Sequence, residues 1–269
     1  MDKSKITAPS LLEMKTRGEK ISVLTAYDYA WGRLIDESGI DVALVGDSLG
    51  MVVLGYETTL MVTMEDMIRH CAAVARGAKR ALVVADMPFM SYQVNSDDAL
   101  RNAGRLMQES GAGAVKLEGG GQVADVVGKI VDAGIPVMGH VGLTPQSVHQ
   151  FGGFKMQGKD AQNADRIRIE ADALQQAGAF AVVLEAIPAQ LAKEITQTLT
   201  IPTIGIGAGP DCDGFVTVTH DMLGMYDKFV PSFVKQYANL WQSTLEAFKA
   251  YDADVKQLRY PERKSTGQQ

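Results

Sequence analysis

Short apolar runs recur along the chain, at residues 21–26, 42–46, 81–86, 114–118, 136–140, 181–185, 202–207 and 215–219. Each is too short for a helix and almost continuously apolar, as strands buried on both faces of a parallel sheet are. Segments with helical spacing lie between them. Residues 63–76 start at a Thr63 cap, with Asp66 three residues on as a shortened capping box. Residues 96–111 read as a Ser96 cap, acids in the first turn and Gly111 past the end. Residues 164–178 and 189–199 repeat the pattern. Strand, helix, a short glycine step and strand again is the grammar of βαβ units. Eight such units predict an α/β fold, a (β/α)8 TIM barrel. The competitor is an open doubly wound sheet, which carries a Gly-rich turn after its first strand. Here Tyr27-Asp28-Tyr29-Ala30 follows instead.

Two further helices are expected outside the repeat. Residues 8–17 precede the first strand and are placed to cap the barrel floor. Residues 231–250 form an amphipathic C-terminal helix, with Val234, Tyr237, Leu240, Trp241, Leu245 and Phe248 on one broad face. The long connections 47–62 and 141–165 follow strands 2 and 5, on the face of a barrel that carries chemistry. With no linker or internal repeat, residues 1–269 read as a single domain, and the polar tail from about 257 is expected to be flexible.

Composition acts mainly by exclusion. The 269 residues are 46% apolar and 22% charged, which permits a large core and excludes wholesale disorder. A net charge of −6 with no basic block gives no footprint for nucleic acid and no attraction to anionic membranes. Cys71 and Cys212 cannot form a disulfide framework and read as buried or idle thiols in a reducing compartment. No apolar run approaches the ~20 residues that span a bilayer, and the N-terminus has no apolar leader, so a cytoplasmic protein is expected.

The candidate chemistry sits at strand ends. Asp47 follows strand 2, Asp86 ends strand 3, Glu118 ends strand 4, His140 ends strand 5 and Glu185 ends strand 6. A carboxylate there has lost its hydration and needs a cation or donors to stay ionised. Lys116 and Glu118 are two apart, so they share one side of strand 4, the lumen side if Leu117 faces the helices. An internal Lys116–Glu118 ion pair explains two of these residues and leaves the other acids unmatched. Asp47, Asp86 and Glu118, from adjacent strands, would make a hard-cation site. So few protein oxygens favour Mg²⁺ over Ca²⁺, and the lack of a thiolate disfavours zinc. Glu185 stands two strands away, a candidate general base. The glycines of 205–209 fit either an anion-binding loop or a tight turn that lets ligand approach the backbone. His70, His149 and His220 read as structural or exposed before catalytic.

The motifs TAYDYA (25–30), VGDSLGMV (45–52), ADMPFMSY (85–92), VKLEGG (115–120), GHVGLTPQSVHQFGGFKMQG (139–158), VLEAIP (183–188) and IGIGAGPDCDG (204–214) closely resemble the ketopantoate hydroxymethyltransferase family. The resemblance runs from about residue 5 to 240. It implies a Mg²⁺-dependent barrel enzyme, usually a homodecamer, with one Mg²⁺ per subunit on Asp47, Asp86 and Glu118. It places keto-acid contacts on Asp47, Ser48, Asp86 and Lys116 and the catalytic proton acceptor on Glu185. His140, from its place at the end of strand 5 and not from the resemblance, is expected behind them and is the next candidate base after Glu185. The implied reaction transfers a hydroxymethyl group from 5,10-methylenetetrahydrofolate, a cosubstrate, to 3-methyl-2-oxobutanoate, giving 2-dehydropantoate and tetrahydrofolate in pantothenate biosynthesis. The alternative is an isocitrate lyase or phosphoenolpyruvate mutase-like enolate enzyme, which would usually carry a nucleophilic cysteine in a strand-4 loop or lid; neither Cys71 nor Cys212 is placed there.

Overall fold

The computed structural model describes residues 4–226 and 230–262. They fall into two compact units, Met1–Val218 and Thr219–Gln269. In the first, eight parallel strands close into a barrel in sequence order: β1 Ile21–Thr25, β2 Val42–Val45, β3 Leu82–Asp86, β4 Ala114–Lys116, β5 Val137–Gly142, β6 Ala181–Glu185, β7 Thr203–Ile206 and β8 Gly214–Thr217. The sheet is closed, so the open-sheet alternative fails.

Two buried layers follow from the period-2 alternation of each strand. Val42 and Leu44 of β2, Leu82 and Val84 of β3, Ala114 of β4, Met138 of β5, and Ala181 and Val183 of β6 share one cluster, which fills the lumen. Their neighbours Ala43, Val45, Val83, Ala85, Val115, Val137, Val182 and Leu184 belong to the other cluster, between sheet and helices. The helix Ala8–Arg17 starts at a Thr7 capping box and sends Leu11 and Met14 into the lumen cluster, so it plugs the floor as its position implied.

Several boundaries differ from the sequence reading. The helix Met64–Gly77 has the expected Thr63–Asp66 capping box. The helix Ser96–Ser110 is capped by Asn95, not Ser96: the Asn95 side chain accepts from Asp98 N at 2.8 Å. The next predicted helix starts earlier, as Ala161–Gln176 with Asp160 as its cap. β5 runs two residues past His140, and β4 stops at Lys116, two residues before Glu118. The connections after β2 and β5 are not bare loops. Each holds a four-residue helix, Leu49–Val52 and Val148–Phe151, and a 3-10 turn, Thr59–Met61 and Pro145–Ser147; the two turns touch.

In the second unit the C-terminal helix is Leu240–Lys256, capped by Asn239. The expected start at 231 is wrong, and Val234 and Tyr237 lie before the helix. The expected flexible tail falls largely on residues 263–269, outside the described residues.

Candidate active site

Continuing the inward alternation past the last apolar layer puts charged residues at the strand ends. After Leu82 and Val84 comes Asp86; after Ala114 comes Lys116; after Met138 comes His140; after Ala181 and Val183 comes Glu185. Asp86 pairs with Lys116 in register, and Gly142 with Glu185. Leu117 faces the helix layer, so Glu118 points inward as expected. Asp47 reaches the same place from the turn after β2, where its backbone N–H donates to Asp86 Oδ2 at 3.3 Å.

One ligand atom each from Asp47, Asp86 and Glu118 lies within 4.8 Å of the others, and all three residues are buried. Lys116 Nζ donates to Asp86 Oδ1 at 2.7 Å and stands 3.7 Å from Glu118 Oε1. The internal ion pair foreseen for Lys116 is therefore made chiefly with Asp86. His140 bridges two acids, with Nδ1 3.6 Å from Glu118 Oε1 and Nε2 3.2 Å from Glu185 Oε2. Glu185 is the most open of the four carboxylates, its side chain 18% exposed. Ser48 is half-buried, its hydroxyl 2.8 Å from that of Tyr27.

Tyr92 and Gln146 join this cluster without having been singled out as site residues. Gln146 Nε2 donates to Asp47 Oδ2 at 2.9 Å and to the Met87 carbonyl at 2.9 Å, while its backbone N–H donates to Glu118 Oε2 at 2.9 Å. The buried Tyr92 hydroxyl lies 2.7 Å from Gln146 Oε1 and accepts from Glu118 N at 3.1 Å. Both lie inside motifs already noted, ADMPFMSY and GLTPQ. Neither has an acid beside it in sequence, so residue type alone carried no signal for them.

Burial, and then the charges of Asp86 and Glu118, push the Asp47 carboxyl well above the usual carboxylate range; Lys116 and the Gln146 amide recover only part of this. Burial also raises Asp86, against the pull of Lys116. Burial opposes the Glu118 charge too, but Lys116, His140 and the Gln146 N–H outweigh it and hold Glu118 below its ordinary value. The Lys116 ammonium loses hydration, yet Asp86, Glu118 and Asp47 keep it charged beyond its ordinary range. His140 is pushed up to about 9: burial and the Lys116 charge work against its protonation, and Glu118 and Glu185 on its two sides outweigh them.

These residues fit a hard divalent cation. The donors are all carboxylate oxygens, and Asp47 Oδ1 takes no hydrogen bond from any described residue. Among the described residues the four acids pair only with Lys116 and His140, a formal excess of two negative charges that one such ion would neutralise.

Local backbone holds the acids in place. Gly142, at φ 95°, crosses β6 so closely that a Cβ would collide with the Glu185 carbonyl oxygen. Ala186, directly after Glu185, sits at φ 46°, a left-handed conformation costly for alanine and tolerated where surroundings fix it. Gly209 (φ 77°) in the loop after β7 packs against Ala189, which favours the tight-turn reading of that loop. His70 Nδ1 bonds the Tyr27 carbonyl at 2.5 Å, a structural role; His149 is exposed, and His220 belongs to the second unit. Cys71 and Cys212 are free and buried, and burial pushes the Cys71 thiol up to about 11, far from a nucleophile.

A parallel barrel with a buried lysine and a cluster of inward acids able to hold a cation at the carboxyl ends of its strands has the makings of a (β/α)8 enzyme. Solved structures with the same fold include 2,3-dimethylmalate lyase, a phosphoenolpyruvate mutase/isocitrate lyase superfamily member (TM-score 0.60, 16% identity, covering 97% of this chain and 91% of that one). A second is phosphonopyruvate hydrolase in complex with oxalate and Mg²⁺ (TM-score 0.63, 10% identity, 97% and 93%). At these identities the likeness is one of fold alone. The sequence profile of ketopantoate hydroxymethyltransferase matches residues 5–263, and the chain belongs to that family. Relatives named 3-methyl-2-oxobutanoate hydroxymethyltransferase occur in Carboxydothermus hydrogenoformans (58% identity, 97% of this chain, 94% of the relative) and Syntrophus aciditrophicus (59%, 96% and 95%). The protein is accordingly a transferase.

Proposed function

We propose that the chain transfers a hydroxymethyl group from 5,10-methylenetetrahydrofolate to 3-methyl-2-oxobutanoate, with water, giving 2-dehydropantoate and tetrahydrofolate. One observation carries the mechanism: three buried carboxylates and Lys116 converge at one point, and Glu185 stands apart from them across His140. Asp47, Asp86 and Glu118 would hold one Mg²⁺ per subunit, which when bound would supply Lewis-acid stabilisation of negative charge on the keto oxygen. Asp47, Ser48, Asp86 and Lys116 surround the keto acid, and Lys116 adds a fixed positive charge beside the oxygen where the enolate charge develops. Glu185 accepts the C3 proton. His140, with Nε2 3.2 Å from Glu185 Oε2, holds the Glu185 carboxylate in place. Water adds to the methylene carbon of the folate; its two C–N bonds break, the nitrogens take the water protons, and tetrahydrofolate leaves with formaldehyde released. The enolate carbon then attacks that carbonyl carbon, and the alkoxide takes up the proton held by Glu185 to give the hydroxymethyl group.

The supporting facts are the family membership, the two close relatives and the oxygen-only donor set. Two free buried thiols and the lack of any described helix long and apolar enough to cross a membrane support work in the cytoplasm. The exposed apolar residues of Leu240–Lys256 support a homo-oligomer, which we read as a decamer.

The test is turnover of the keto acid with folate donor across a Mg²⁺ titration. The wild type should require both, and Asp86→Asn should lose activity and its response to Mg²⁺ while staying folded. Full turnover in Asp86→Asn, or turnover without folate, would contradict the reading.

A further inference from the structure

We propose that Gln146 is a positioning residue for the cation site, the clamp that fixes the orientation of the Asp47 and Glu118 carboxylates. The inference rests on the cation reading given above. Gln146 follows Pro145 in the first turn of a 3-10 segment, where backbone N–H groups have no partner within the turn. Its N–H is therefore free to donate to Glu118 Oε2, while its side chain crosses to Asp47 Oδ2, so one residue ties together acids ninety-nine and twenty-eight positions away in sequence.

The amide has no freedom to turn over. Both Nε2 hydrogens are committed, to Asp47 Oδ2 and to the Met87 carbonyl. Oε1 faces the Tyr92 hydroxyl at 2.7 Å and the Gln93 amide at 3.3 Å. A flipped amide would set an oxygen against a carboxylate and a carbonyl, and a nitrogen against the Gln93 donor. With Oδ2 held in this way, no described residue donates a hydrogen bond to Asp47 Oδ1. Buried Gln146 thus turns a carboxylate that could rotate into one of fixed orientation within the group of three acids. Partners behind metal ligands typically account for about 10–100-fold in metal affinity.

The test is the dissociation constant of Mn²⁺, a spectroscopic substitute for Mg²⁺, measured by electron paramagnetic resonance without substrate. Gln146→Met keeps the length of the side chain and the backbone bond to Glu118, and removes only the amide. It should weaken Mn²⁺ binding about 10–100-fold. Tyr92→Phe keeps the ring and removes the hydroxyl that faces Oε1; it should weaken binding in the same direction, and it decides the matter if Gln146→Met does not fold. A residue that merely held its loop would lower the unfolding midpoint of the metal-free protein and leave the Mn²⁺ affinity of the folded fraction unchanged. Wild-type affinity in folded Gln146→Met, with Asp86→Asn losing Mn²⁺, overturns the clamp and leaves the site reading intact. Wild-type affinity in Asp86→Asn overturns both.

Discussion

His140 lies between Glu118 and Glu185, and its pKa near 9 couples the site to the stability of the fold. A base whose folded pKa exceeds its unfolded value stabilises the fold below the unfolded value, and this is lost as pH rises through the folded one. From about 6.5 to about 9, the shift amounts to roughly 3 kcal/mol. Urea unfolding of the metal-free protein should show that contribution intact below about pH 6.5 and gone above about pH 9. His140→Gln should flatten the slope; an unchanged slope would place the titration on another group. The strand-end acids and Lys116 were legible as residues because charge is out of place in a buried strand. Tyr92 and Gln146 were not, since a neutral polar side chain in a loop carries no such signal until its partners are known. Nor could the sequence show that Lys116 bonds Asp86 on the next strand more closely than Glu118 on its own, because register decides that.

At the scale of elements, apolar periodicity predicted eight strands and their order, since a two-sided buried strand has few ways to look. Caps were less legible. Asn95 and Ser96 are both good caps by type, and only the backbone shows that Ser96 is already helical. Asn95→Ala should cost about 1 kcal/mol of stability, and Ser96→Ala less than about 0.5 kcal/mol, both by denaturant unfolding. Equal losses would contradict the assignment. The floor helix gives a larger effect. Leu11 is fully buried against the lumen cluster, so Leu11→Ala should cost about 2–5 kcal/mol by cavity formation while Mn²⁺ affinity holds in the folded protein. The C-terminal helix was misplaced because aromatic and aliphatic residues continue upstream of Asn239, and apolar spacing alone does not mark where hydrogen bonding begins.

At the scale of the whole molecule, Trp241, Phe248 and Tyr251 are more than half exposed on a helix with no buried residue. Apolar area of this kind is typical of surfaces that pair. Light scattering should give a multiple of 28.9 kDa, ten subunits in the proposed assembly; a 28.9 kDa particle at working concentration would refute it. The barrel brings together one central arrangement, buried acids and Lys116 at the ends of β2 to β4 and, across His140, Glu185 on β6, which is the base of the proposed reaction. Exchange of the C3 hydrogen of 3-methyl-2-oxobutanoate with deuterated water, followed by NMR without folate, isolates the proton-removal step. The wild type with Mg²⁺ should exchange, and Glu185→Gln should bind keto acid and Mg²⁺ almost normally yet exchange ~10²–10⁴-fold more slowly. Exchange at the wild-type rate in Glu185→Gln would mean that another group removes the proton.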